Sequence, residues 1–186
     1  FPSALLGAAV TDVDLLIDAH ADNDRQAPGD AAETRRAIDL ARRGRSRTLD
    51  VADLGFETGA SLWRRSLRPA GVLAVSELTS TTHRRPAAIT DHWTNEYPRI
   101  ATASANLATL ERLGYETLAL FFLPRDCWER NDYAPLRAAF APFLDRHDHS
   151  EAARAVVVAE ENEMRLHSEH GERFGYAFYI ARRTGD

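Results

Sequence analysis

The sequence contains no lysine; all 23 of its basic residues are arginine, which reads as a coding bias and not as a binding signal. It has one cysteine, Cys127. An intramolecular disulfide is therefore excluded, and a reducing, cytoplasmic setting is expected. No apolar run reaches the ~18 residues of a membrane-spanning helix, so no membrane partner is expected. The opening stretch, residues 1–10, is mildly apolar but has no basic residue in front of it, and it is not read as a signal peptide. Excess positive charge is missing too: 28 acidic residues face 23 basic ones, the net charge is −5 and the pI about 5.8. No basic field invites nucleic acid. Internal repeats and low-complexity tracts are absent.

What is present is ordinary for a globular domain. The 186 residues suggest one domain. The hydrophobic share of 44% and the charged share of 27% are typical. The pattern divides into an N-terminal helical segment (1–45), a sheet core (46–124 and 171–186) and a helical cap (125–170).

The stretch from Ser61 to Thr79 organises the rest. Leu62, Trp63, Ser66 and Leu67 share one helical face, and Arg64, Arg65 and Arg68 share the other. Pro69 stops the helix, because the residue before a proline is pushed out of the α region. Ala70-Gly71 make the turn. Val72-Leu73-Ala74-Val75 is then a continuous apolar run, suited to a strand covered on both faces. Ser76 and Glu77 are expected at its carboxyl end, where open α/β sheets bind ligands.

The flanks follow the same grammar. Two short helices are expected in 1–22, broken near Thr11-Asp12. Pro28-Gly29 marks a turn, and Asp30 with Glu33 forms a capping box for a helix from Ala31 to Arg43. Arg47 to Asp53 reads as the start of a strand. Pro86 opens a helix carrying Ile89, His92 and Trp93, with Tyr97 one turn on. A helix from Ala101 to Leu113, with Gly114 as its left-handed cap, leads into the strand Tyr115 to Leu123. That second helix–turn–strand unit supports a parallel sheet. Two helices, 136–144 and 150–170, precede a last strand, Phe174 to Ala181. His147 and His149 with Asp145 and Asp148, and His167 with His170, read as solvated charge, so no metal is expected. Cys127 lacks the setting of a nucleophile.

Several words carry a family resemblance. A helix followed by L-R-P-x-G and an apolar strand ending in S-E resembles the helix and fifth strand of class I S-adenosylmethionine-dependent methyltransferases. RQAPG with its T-R-R-A-I helix, G-F-E before the opening helix, D-H-W-x-N-E-Y-P, RDCWERNDYAPL and FGYAFYIARR resemble the small-molecule subfamily. The resemblance implies a Rossmann-like, mostly parallel sheet with helices on both faces, a helical cap and an antiparallel last strand. It also implies S-adenosylmethionine as cofactor and methyl transfer to a small molecule. A homodimer is compatible with it. Glu77, His20 and His92 are then the candidates for removing or orienting a proton, and Glu77 stands first. Trp93, Tyr97, Trp128 and Tyr133 would wall an aromatic pocket. Arg25 and Gln26 would reach the cofactor carboxylate.

Two alignments compete where the family carries its glycine-rich loop. In one, Asp53 to Gly59 is a degenerate loop, with Asp53 and Gly55 against the cofactor and Glu57 crowding it. In the other, which is favoured, Leu54 to Leu67 follows the family's fourth strand. About three strand–helix units of ~30 residues each would then be missing from the sequence near 50–55. A cyclase or lyase that binds the sulfonium without transferring its methyl is an alternative. A cofactor-free binding or dimerisation module is another.

Overall fold

The computed structural model describes residues 11–21, 28–41 and 55–185. Its elements, in order, are α1 (Asp12–Ala19), α2 (Ala31–Ala41), α3 (Phe56–Ser66), β1 (Val72–Ser80), α4 (Ala87–Glu96), β2 (Ala101–Thr102), α5 (Ala103–Arg112), β3 (Tyr115–Phe122), the short α6 (Asp126–Trp128) running into a π turn (Glu129–Tyr133), α7 (Ala134–Arg146), α8 (Glu151–His170) and β4 (Phe174–Arg183). Among the described residues no helix is long and apolar enough to cross a membrane.

Local chemistry sets most of the helix starts. The Thr11 hydroxyl accepts from the Asp14 amide at 3.2 Å, and the Asp14 carboxylate accepts from the Thr11 amide at 3.0 Å. This reciprocal cap fixes α1 at the expected break. Asp30 accepts from the amides of Ala32 and Glu33, and Glu33 accepts from the Asp30 amide at 3.4 Å, as the sequence predicts. Gly114 takes φ +78°, the left-handed conformation expected of it.

The sheet order is β2-β1-β4-β3. β1 pairs with β2 in parallel, while β4 lies antiparallel to both β1 and β3. Three strands therefore share one direction, and the last strand runs against them, as expected. Two expectations are corrected. β1 does not end at Val75 but runs to Ser80, so Glu77 sits within the strand, opposite Ala177. Its parallel pairing is confined to Thr79 with Ala101 and Ser80 with Thr102. Over Val72–Leu78 its partner among the described residues is the antiparallel β4. Residues Ala101-Thr102, expected in a helix, form β2, and the Thr102 hydroxyl then caps α5 by accepting from the Ala105 amide.

Both faces of the sheet are covered, which is why Val72–Val75 is continuously apolar. Leu73 and Val75 pack with Ala177 and Tyr179 against Phe56 and Ala60 of α3 and Leu110 of α5. Val72 and Ala74 pack with Ile180 against Ala37 and Ala41 of α2. Towards the carboxyl end of β1, Leu78 joins Trp93, Trp128, Tyr133, Leu136 and Phe143 in a third cluster built from α4, the π turn and α7.

Candidate active site

Glu77 is placed on β1 by its pairing with Ala177, with only 7% of its surface exposed. A buried carboxylate needs donors. The Tyr97 hydroxyl, just past α4, donates to Glu77 Oε1 at 2.7 Å. Burial pushes the Glu77 carboxyl above its ordinary range, and the Tyr97 hydrogen bond pulls it partly back. Tyr97 is itself raised, first by burial and then by its bond to Glu77, so it stays protonated. Its ring is half-buried.

Behind Glu77 runs a buried polar chain. The Asn106 side-chain amide donates to Tyr179 Oη at 3.0 Å. Tyr179 Oη and Thr79 Oγ1 lie 2.9 Å apart, and Thr79 Oγ1 donates to the Glu77 carbonyl at 2.8 Å. An amide nitrogen can only donate and a carbonyl can only accept, so the chain has one direction: Asn106 to Tyr179 to Thr79 to Glu77. It holds the β1 backbone at Glu77 from the α5 side. Sequence reasoning missed Asn106. Its signal was a polar residue four before Leu110 on the inward stripe of α5.

Gly55 precedes α3 with φ +72°. A Cβ there would lie 2.6 Å from the Arg99 guanidinium. The close approach that Gly55 permits within the chain is thus that of Arg99, which sits at the amino end of α3 near Tyr97. Arg25, Gln26 and Asp53 lie outside the described residues.

His20 and His92 are not beside Glu77 in any hydrogen bond; both turn to α8. His20 Nε2 lies 3.4 Å from Glu160, and His92 Nε2 lies 3.6 Å from Glu163. Tyr133 Oη donates to Glu163 at 3.2 Å. The Glu160 hydrogen bond raises the His20 proton affinity against the effect of burial. Burial and the neighbouring Glu163 and Glu160 push Asp132 up to about 6, against the pull of His20. The structure therefore divides the predicted residues. Glu77 and Tyr97 pair at the sheet, while His20, His92 and Tyr133 gather around the α8 carboxylates.

The remaining aromatic candidates are deeply packed. Trp93 meets Phe174 edge-on at 5.1 Å, and Trp128 stacks on His167 at 4.9 Å and lies 5.6 Å from Tyr133. Trp93, Trp128 and Tyr133 are buried in the cap core. Cys127 is also buried, and burial raises its thiol. Among the described residues no group of His, Cys, Asp and Glu is placed to hold a metal.

A hollow of about 220 Å³ opens at the carboxyl ends of β1 and β2, lined by Ser80, Thr82, His83, Thr102, Ser104 and Phe122. This is the sheet edge at which open α/β folds bind ligands. A larger groove of about 680 Å³ lies along α2, lined by Arg35, Arg36 and Asp39, and shares no residue with the Glu77 cluster.

No known protein family matches the sequence, and no curated protein is similar to it. Solved structures are. A methyltransferase dependent on S-adenosylmethionine from Geobacter sulfurreducens, in complex with S-adenosyl-L-homocysteine, superposes with a TM-score of 0.59 at 20% identity, covering 73% of this chain and 56% of that one. Its counterpart from Thiobacillus denitrificans, with the same ligand, gives 0.59 at 19% identity, with the same shares covered. YjhP from E. coli gives 0.65 at 12% identity, covering 90% of this chain and 97% of that one. The chain thus spans about half the length of the first two, at 56%. At this identity the likeness establishes the fold, which is that of class I methyltransferases dependent on S-adenosylmethionine.

Proposed function

We propose that this chain transfers a methyl group from S-adenosylmethionine to a small molecule, with Glu77 as the proton acceptor. The observation that carries the reading is the buried Glu77–Tyr97 pair near the carboxyl end of β1, on a sheet whose antiparallel last strand lies between β1 and β3. Ligands of open α/β sheets bind at that end. The S-adenosyl-L-homocysteine bound in the two similar methyltransferases supports the same choice.

The residues at this end suit the polar part of such a cofactor. The Arg99 guanidinium and the amino end of α3 would hold its carboxylate, since both favour a negative charge. When bound, the cofactor supplies a methyl carbon activated by positive sulfur; the acceptor's electron pair makes the new bond, and sulfur keeps the pair of the bond that breaks. The chain's part is to hold the acceptor in line, about 3–3.5 Å from the carbon, and to take its proton at Glu77. The hollow past the end of β1, lined by Ser80, Thr82 and Thr102 but by neither Glu77 nor Tyr97, would take the rest of the acceptor molecule.

Titration calorimetry with S-adenosylmethionine, followed by a search for tritiated methyl in product, tests this against both rivals. Binding with transfer is expected. Binding without transfer would indicate a cyclase or lyase, and no binding would indicate a cofactor-free module.

A further inference from the structure

The carboxylate that best fits the role of proton acceptor is nearly closed off, at 7% exposure. Among the described residues its hydrogen-bond donor is the hydroxyl of Tyr97, a residue less buried than Glu77. Among the described residues, three further side chains act on this pair. Tyr179 of β4 feels the Glu77 charge, and Tyr176 of β4 and Arg99 act on Tyr97. Thr79 reaches the Glu77 backbone, not its carboxylate.

We propose that Tyr97 relays the proton from the bound acceptor to Glu77, and is therefore a catalytic residue and not only a wall of the pocket. This rests on the methyltransferase reading above. As the acceptor attacks, its proton passes to Tyr97 Oη while the hydroxyl's own proton crosses the 2.7 Å to Glu77 Oε1. Tyr97 ends unchanged, Glu77 ends as a neutral acid, and the net transfer is one proton from the acceptor to Glu77. The direction of the existing hydrogen bond already points this way. Tyr97 holds its proton too firmly to serve as the base itself, so the negative charge that accepts the proton is that of Glu77. The relay also selects a class of acceptor. It serves nucleophiles that carry both an electron pair and an exchangeable proton, such as hydroxyls and neutral primary or secondary amines. A tertiary amine or thioether gains nothing from it.

Two measurements test it together. In protein labelled with ¹³C at the glutamate carboxyls, the Glu77 titration is followed by NMR without substrate. Tyr97→Phe removes the donor and leaves the burial, so the Glu77 titration is expected to move to higher pH. In transfer assays, Tyr97→Phe and Glu77→Gln are each expected to lower kcat roughly 10²-fold for a hydroxyl or amine acceptor. The double variant should lose little more, because the two groups act in series. The acidic limb of the pH–rate profile should rise in Tyr97→Phe with the Glu77 titration. A Glu77 titration unmoved in Tyr97→Phe, or a change confined to KM, overturns the relay while leaving methyl transfer standing. If the unsubstituted protein transfers no methyl to any acceptor, the function itself falls and the relay with it.

Discussion

Thr79 shows how a single side chain can hold a neighbouring stretch of strand backbone. Its hydroxyl donates to the Glu77 carbonyl and accepts from Tyr179, and it is fully buried. Thr79→Val keeps the shape but leaves the Tyr179 hydroxyl without its acceptor. Loss of about 1–3 kcal/mol in unfolding free energy is expected, measured by urea denaturation. Gly55 is constrained differently. Its φ of +72° disfavours any Cβ, and Arg99 fills the space beside it. Gly55→Ala should cost about 1–3 kcal/mol from the backbone alone, read from the denaturation midpoint. The two positions also differ in how far the sequence reveals them. Gly114 and the Asp30–Glu33 box are legible because a turn or a cap is chemistry within a few residues. The Tyr97–Glu77 pair spans twenty residues, and only tertiary packing brings it together.

At the scale of elements, α8 is tied to its neighbours by groups that titrate. His20 from α1 and His92 from α4 face Glu160 and Glu163, with Asp132 and Tyr133 of the π turn between them. The folded-state proton affinity of His20 is raised, so its contribution is full below about pH 6.5 and is lost as pH rises through the raised value. Asp132 shifts the same way, from 3.8 to about 6, so folding favours its neutral form and stability falls as pH rises through about 6. Asp132→Asn removes that loss. The variant should melt higher than the parent protein at about pH 8, and the gap should close by about pH 4, near the ordinary carboxyl range. Equal melting temperatures at both pH values would contradict the assignment. The sequence does not reveal this grouping, because His20 and Glu160 lie 140 positions apart. The length of β1 was hidden for a related reason. Ser76, Glu77, Thr79 and Ser80 break the apolar run, yet Glu77, Thr79 and Ser80 are buried, because their polar groups find partners elsewhere in the fold.

For the whole molecule, the helix–turn–strand rhythm and the aromatic last strand were enough to foretell the sheet. Their signal is periodic apolar burial, which a sequence displays directly. The four-stranded sheet contains β1 and β4, whose sequences resemble the family's fifth and last strands. The claim that joins these scales is that Glu77 takes a proton during methyl transfer. Its most direct test is the transfer of tritiated methyl from S-adenosylmethionine to a panel of small hydroxyl and amine acceptors, with the parent protein and Glu77→Gln side by side. The account predicts label in at least one acceptor with the parent protein and a loss of roughly 10²-fold in kcat in the variant. Equal rates in the two proteins, or no label in any acceptor, would contradict it.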